Sequence, residues 1–330
     1  MTAVLNGNSD LARRRRIGIT RLVRHSQFAL LAILVLAFVL ASLLVPYFLT
    51  WGNLSNLLQR NSIIGIVSCG MLLMIILGGF DLSVGAVGAM SSVAAAALVA
   101  GVSIPLGIVA ALALGLAVGL LNGFCIAKVG ITPFVATLGV EVLVTGLLFI
   151  ATSAEPIYGV PESFTTIGLG KIAFLPIPTL IFAAIALATW ALLRFTTFGH
   201  YVFMVGGNKD AARLAGVNVD RVTLVTYGLG GLYAGLAGVV LLGTTGIGQP
   251  ASATDWPLSA IAAVVVGGVP LSGGVGSVGR VVLGTFLLGI IANILNLTGI
   301  SPYWQPAITG VVILVAVGVD SYQRKRAGRD

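Results

Sequence analysis

Charged side chains are too scarce in this chain to cover a water-facing surface. They make up 8% of its 330 residues, while 58% are hydrophobic. A soluble domain carries about 25% charged residues. A chain so poor in charge must face lipid, so it is an integral membrane protein. Its net charge of +8 does not point to nucleic acid, because the basic residues cluster at the ends and in a few loops.

The apolar runs have the length of membrane helices. The first, 27–45, covers roughly 30 Å at 1.5 Å per residue, enough for a bilayer core. It is long for a signal-peptide core and has no obvious small-residue cleavage site, so it reads as an uncleaved first span. Further spans are expected at about 62–79, 84–101, 106–127, 133–152, 174–193, 222–242, 257–268, 278–297 and 305–319. Residues 53–60 read as a short amphipathic segment lying at the interface, flanked by Tyr47 and Trp51. The fold class is therefore all-α, a polytopic membrane protein of about ten transmembrane helices. A basic N-terminal segment, 1–26, precedes the membrane domain, 27–320, and a basic tail, 321–330, follows it.

Charge sets the orientation. Arg13 to Arg16 stand just before the first span, and basic residues stay on the cytoplasmic side. With ten spans, only Arg60 and Lys171 of the 18 basic residues fall outside. An odd number of spans would put one basic terminus outside. Helices that have no hydrophobic effect to drive them together rely on small residues for close approach. Gly115, Gly119 and Gly123 form one such ridge, and Gly231 and Gly235 another. Cys69 and Cys125 both fall in apolar segments and read as small buried residues.

No energy-transducing or catalytic site is visible. A phosphate loop needs Gly-Lys followed by Ser or Thr. Lys128, Lys171, Lys209 and Lys325 are followed by Val, Ile, Asp and Arg. His25 and His200 are isolated, so no metal-ligand cluster is expected, and no cofactor. Two carboxylates lie within the apolar spans or at a break in them. Asp81 follows two glycines between the second and third spans, and Glu141 sits midway along the fifth. A charge at the bilayer centre costs about 2.5–3.5 kcal/mol, so each should face a wet cavity or a partner. Asp81 reads equally well as a cap for the helix that begins near Ser83.

The stretch 205–221, VGGNKDAARLAGVNVDR, is a polar island between two spans. Gly206 and Gly207 break what precedes them. Asn208 suits an N-cap, Lys209 to Ala215 a helix of about two turns, and Gly216 a C-terminal cap. By the span count this short capped peg faces the cytoplasm. Two motifs elsewhere echo each other. GGFDLSVG at Gly78 recurs as GGVPLSGG at Gly267 with five of eight positions identical, and GITPF at Gly130 is echoed by GISPY at Gly299. Duplicated halves are common in transporters.

The wording of the peg resembles the cytoplasmic coupling loop of ribose-type permeases of ABC transporters. GGFDLSVG resembles the signature of the same carbohydrate permeases, and the resemblance runs on through DWPLSAIAAVVVGGVPLSGG, covering roughly 62–320. It implies the membrane subunit of an ATP-driven importer in the bacterial cytoplasmic membrane, with a monosaccharide such as a pentose as substrate. The partners implied are an ATP-binding subunit, a periplasmic sugar-binding protein and a second permease subunit, identical or not. Contact with the ATP-binding subunit would fall to Gly207, Asn208, Ala211, Ala212, Arg213, Leu214 and Gly216. A sugar pathway needs hydroxyl-matching groups and an aromatic face, for which Phe80, Asp81, Ser83, Asn122, Glu141, Asn293 and Asn296 are the candidates. The asparagines serve equally well as hydrogen-bonding links between helices. Trp256, Tyr303 and Trp304 suit an aromatic belt. Two other readings remain open: an ion-coupled secondary transporter relying on Asp81 and Glu141, and a related permease for branched-chain amino acids.

The charge distribution makes a topological prediction. Single cysteines at Asn208 and at both termini should react with thiol reagents only from the cytoplasmic side, and one at Glu162 only from the other. Labelling of position 208 from outside would overturn both the span count and the coupling role of the peg.

Overall fold

Apolar sequence becomes helix almost throughout. The computed structural model describes residues 28–301 and 303–326. The basic segment 1–26 and residues 327–330 lie outside the described residues, as do the side chains of the tail from 321 on. The helices in chain order are α1 (Phe28–Leu44), α2 (Trp51–Leu77), α3 (Val84–Gly101) and α4 (Ile104–Phe124). A π turn, Cys125–Val129, extends α4, and α5 (Pro133–Thr152) and α6 (Glu162–Leu169) follow. A hairpin of β1 (Lys171–Ile172) and β2 (Leu175–Pro176) leads into α7 (Ile177–Phe195), α8 (Thr197–Gly207) and α9 (Lys209–Leu214). The chain closes with α10 (Val219–Thr245), α11 (Trp256–Val266), α12 (Val278–Leu297) and α13 (Trp304–Arg326).

Among the described residues seven helices, α2 to α5, α7, α10 and α12, are long and apolar enough to cross a membrane. The other three expected spans fall on shorter apolar helices, Phe28–Leu44, Trp256–Val266 and Trp304–Val315. The 11 residues of α11 cover only about 16 Å at 1.5 Å per residue. Length alone therefore does not establish ten spans.

Helix α2 runs through the middle of the bundle. Apart from Ile64, every residue from Asn61 to Leu77 is buried, as expected of a helix that is apolar all round. The separate amphipathic segment expected at 53–60 does not exist. Those residues are the opening turns of α2, which the Thr50 hydroxyl caps by accepting from the Asn53 N–H at 3.4 Å. No proline or glycine interrupts the chain between Asn53 and Ile64, so nothing stops the helix there. Asn53 and Gln59 bond to Asn293 and to the Gly168 carbonyl, while Asn56 and Arg60 are exposed.

A second element was not expected. The expected sixth span stops at Leu193, yet α8 follows α7 after a single residue. The Thr196 hydroxyl caps α8 by accepting from the Gly199 N–H at 3.0 Å. Val202 and Val205 on α8 are buried in the main core. Gly206 and Gly207 are the last two residues of α8, so the break expected there is the end of this helix. The polar stretch before α7 contains α6, whose Phe164 is fully buried and whose Gly168 touches the α10 backbone at Gly243.

The glycine ridges foreseen in the sequence face each other. A Cβ placed on Gly115 or Gly119 of α4 would collide with the backbone of Gly231 and its neighbours on α10. Helices in lipid approach this closely only where side chains are absent. Apolar side chains on the outer faces, among them Val135, Leu138, Val142, Leu147 and Ile150 of α5, are exposed, as a lipid-facing surface requires.

This packing predicts an asymmetry between two glycines. Gly231→Leu should lower the melting temperature in detergent markedly, since overpacking costs about 1–3 kcal/mol. Gly139→Leu on α5, where nothing lies within 4 Å of the added Cβ, should change stability by no more than about 0.5 kcal/mol. Equal melting curves for the two variants would refute the seam.

Candidate functional site

The peg is built as its sequence requires. Asn208 has extended backbone, and its Oδ1 accepts from the Ala211 N–H at 2.9 Å. Helix α9 follows and ends before Gly216, whose φ of +82° is left-handed. Leu214 is 91% exposed. Ala211 is also exposed, but Ala212 is buried in the main core. Ala212 thus anchors the peg to the permease body and has no surface to offer a partner. Arg213 lies 3.8 Å from Asp210 and 4.0 Å from Asp220, and Lys128 pairs with Asp220 at 2.9 Å. Such exposed pairs are worth about 0–1 kcal/mol each, so they orient the peg more than they hold it.

Beneath the peg three backbones touch. Gly206 at the end of α8 lies so close to the Ile76 carbonyl of α2 and to the Gly274 nitrogen that a Cβ would collide with both. The Gly274 N–H donates to the Ile76 carbonyl at 2.8 Å. A Cβ on Gly273 would meet Gly78 at 2.9 Å. The two echoing motifs therefore meet at one end of the bundle, where α2 and α11 both stop. Pro133, in the first of the second pair of echoes, packs at this same end beside Gly79. The segment around Gly299 lies at the other end, with the start of α13.

The break after α2 is a polar knot. Gly78, at φ +89°, and Gly79 close the helix, with N–H groups donating to the Ile75 and Met74 carbonyls at 3.0 and 2.9 Å, the hydrogen bonds of a Schellman C-cap. Asp81 Oδ1 then accepts from the Ser83 N–H at 2.7 Å and the Ser83 hydroxyl at 2.6 Å. Asn122 Nδ2 donates to Asp81 Oδ2 at 3.2 Å and to Ser83 Oγ at 2.8 Å. The Leu82 N–H donates to Thr137 Oγ1 at 3.1 Å, and the Tyr227 hydroxyl to the Phe80 carbonyl at 3.3 Å. One short break is thus tied to α4, α5 and α10. Asp81 stands in this break, between two spans. Burial pushes its carboxyl up to about 6, while the bonds from Ser83 and Asn122 pull it down.

At the opposite end of α2 lies a cavity of about 910 Å³ between α2, α11, α12 and α13. Asn53 and Asn293 exchange amide hydrogen bonds of 3.0 and 2.7 Å across its wall. Gln305 reaches Asn296 at 3.5 Å. Asn61 is buried against Gly289 of α12, where a Cβ would run into its amide.

The candidate residues fall into separate groups. Asp81, Ser83 and Asn122 come together in the knot, and the Phe80 ring meets Phe134 edge-on at 6.3 Å; none of these lines the cavity. Asn293 and Asn296 do line it. Glu141 is half-buried on α5, apart from both groups, and forms no ion pair among the described residues. Sequence reasoning missed Asn53, Asn56, Arg60 and Asn61, which also line the cavity. Their spacing of three, four and one was the available signal, since it puts polar groups along one helical face.

Over residues 53–317 the chain matches the family model described as branched-chain amino acid transport system / permease component. It is 40% identical over 300 residues to the ribose import permease protein of Escherichia coli (strain K12), covering 89% of this chain and 93% of that protein. It is 37% identical over 300 residues to the L-arabinose transport system permease protein of the same strain, covering 91% and 92%. Against the galactose/methyl galactoside import permease protein of Haemophilus influenzae (strain ATCC 51907 / DSM 11121 / KW20 / Rd) it is 35% identical over 307 residues, covering 85% and 90%. No solved structure matches the chain significantly.

The knot separates two substitutions of one residue. Asp81→Ala strands the Ser83 and Asn122 donors and should destabilise the protein by about 1–3 kcal/mol. Asp81→Asn keeps an acceptor oxygen toward Ser83 and should cost less. Thermal melts in detergent that rank the two the other way would remove Asp81 from its structural role.

Proposed function

The chain belongs to the permease family described as branched-chain amino acid transport system / permease component, and on that premise we propose that it is the membrane-spanning subunit of an ATP-driven importer for a monosaccharide. The relatives named for ribose, arabinose and galactose favour a sugar over a branched-chain amino acid. The observation that carries the reading is the peg. A rigid capped helix presents Leu214 to solvent, and its root touches the backbones of α2 and of the loop before α12. That arrangement suits an element pushed by another protein.

The chain has no phosphate loop of its own, so the nucleotidase is a separate subunit docking on the peg. A second permease subunit, identical or not, and a binding protein on the opposite face complete the assembly. The peg then faces the cytoplasm, and the membrane is the bacterial cytoplasmic membrane. Movement of the nucleotidase passes from Leu214 and α9 into α8, and at Gly206 into the ends of α2 and of the glycine loop. Both α2 and α12 continue from there to the cavity, so a shift at the peg reaches the far end without any flexible link. Asp81 already accepts three hydrogen bonds in a buried knot, which suits an anchor for the α2–α3 break better than an ion relay.

The test is a double change at the peg, Leu214→Asp with Gly216→Val. The first puts a charge at the contact, and loss of such an anchor typically costs about 2 kcal/mol or more, roughly 30-fold in affinity. The second resists the left-handed backbone and re-aims the helix. Co-purification with the nucleotidase and sugar uptake should both fall, while the detergent melt drops by no more than about 1–2 kcal/mol, the cost of a side chain at the left-handed position 216, because both residues are exposed. Normal association and uptake would reject the peg as the coupling element.

A further inference from the structure

Resting on the importer reading above, we propose that Arg60 and Asp255 are the two halves of a latch, which pair to close the cavity between α2, α11, α12 and α13 when the transporter changes its access. Arg60 stands on α2 and Asp255 directly before α11, and both line the cavity. They are the charged residues in its lining, one positive and one negative. Both are exposed. Neither side chain forms an ion pair or a hydrogen bond among the described residues. Their charged atoms therefore lie more than 4.0 Å apart.

Neither charge is used up locally. An aspartate at the head of a helix ordinarily accepts from an N–H two or three residues on. Asp255 does not, because its backbone is already helical, at φ −86° and ψ −11°. The N–H two residues on is also missing, since Pro257 stands there. On α2 the neighbours of Arg60 both hold the helix in place: Gln59 donates to the Gly168 carbonyl, and Asn61 packs on Gly289. Arg60 holds nothing. With ten spans it is also one of two basic residues outside, against the usual rule that such residues stay in the cytoplasm. An unpaired cation and an unpaired anion thus share one concave wall on two different helices.

The two helices can swing against each other. Helix α11 runs into the glycine loop, whose Gly274 N–H donates to the Ile76 carbonyl of α2 at 2.8 Å. That contact lies at the root of the peg, where Gly206 touches both. Arg60 is 16 positions from Ile76, about 24 Å along the helix. A relative tilt of about 10° at the contact moves Arg60 against Asp255 by roughly 4 Å. The guanidinium then meets the carboxylate, for which its planar fork is suited. As the walls approach, water leaves and the attraction between the two charges strengthens. Opening breaks the pair again. Arg60 and Asp255 are positioning residues here: they hold the closed arrangement and need not touch what is carried.

The experiment uses the chain assembled with its nucleotidase and binding protein in proteoliposomes. Arg60→Asp and, separately, Asp255→Arg bring like charges together and should each lower the maximal uptake rate of D-ribose, L-arabinose or D-galactose at least about tenfold. The exchange of both, Arg60→Asp with Asp255→Arg, should restore uptake to within about threefold of the unaltered complex. None of the three variants should move the detergent melt, because both residues are exposed. A second readout follows the movement itself, in a Cys125→Ser background because Cys125 is partly exposed. Arg60→Cys with Asp255→Cys is treated with a short bifunctional methanethiosulfonate, nucleotide-free and trapped with ATP and vanadate. The rates of cross-linking in the two states should differ at least about tenfold, as a shift between open and closed populations requires. Full uptake by either single variant overturns the latch. So does a loss that the exchange fails to relieve, since each charge then serves separately, on the sugar, the binding protein or the fold. Equal cross-linking in the two states overturns it as well. Each of these results, in a complex that imports sugar, leaves the importer reading intact. An unaltered complex that imports none of the three sugars refutes the importer reading itself, and equal cross-linking there removes the latch too.

Discussion

Lipid tails attract leucine about as well as another leucine does, so a helix bundle in a bilayer needs more than apolar burial to hold it. Here the additional term is backbone contact through glycine. Helices α4 and α10 meet along Gly115, Gly119, Gly231 and Gly235, and α6 meets α10 at Gly168 and Gly243. Close contact of two backbones brings many atoms to van der Waals distance at once, and each contributes about 0.1–0.2 kcal/mol. The same device recurs at Gly206, Gly273 and Gly274, where three separate segments converge. Contacts of this kind leave little room to slide, so they make rigid joints.

Rigid joints matter because of where they sit. Helix α2 is central, and its two ends carry different chemistry. One end touches the root of the peg and the polar knot, and the other forms a wall of the amide-lined cavity. From Leu57 to Leu77 the helix rises roughly 30 Å at 1.5 Å per residue. Nothing in that length breaks the hydrogen-bond ladder, so the two ends move as one body. The break that follows is the place where direction changes, and the side chains of Asp81, Ser83, Asn122, Thr137 and Tyr227 hold its geometry.

Buried polar groups differ in their satisfaction even within one cluster: in the knot the Asp81 carboxylate is engaged at both oxygens, while Asn122 Oδ1 has no partner among the described residues. In the knot, Asp81 accepts from both Ser83 donors and from Asn122, which is the signature of a structural element. At the cavity the Asn53–Asn293 pair is closed, whereas the Asn61 donor is open. In a medium of low dielectric an unpaired donor is unfavourable. The Asn61 amide is packed against Gly289 of α12, so its open donor belongs to the helix contact.

Some of this was determined by the sequence alone. Scarcity of charge required a membrane, and apolar runs specified helices. The peg was legible residue by residue, because Asn208, α9 and Gly216 form a local unit whose caps lie within a few positions of each other. The glycine ridges on α4 and α10 were legible too, though not that they face one another. Tertiary structure alone decided the rest. Asn53 and Asn293 are 240 positions apart, and no local rule joins them. In a helix that is apolar all round, hydropathy does not say which face meets which neighbour. Residues 53–60 were read as a separate segment for that reason: their polarity is real, but they continue into α2, with Asn53 and Gln59 bonded to neighbouring segments and Asn56 and Arg60 exposed. Helix α8 was missed because Gly206 and Gly207 read locally as a break, while the approach of Ile76 and Gly274 makes glycine the only residue type that fits at position 206.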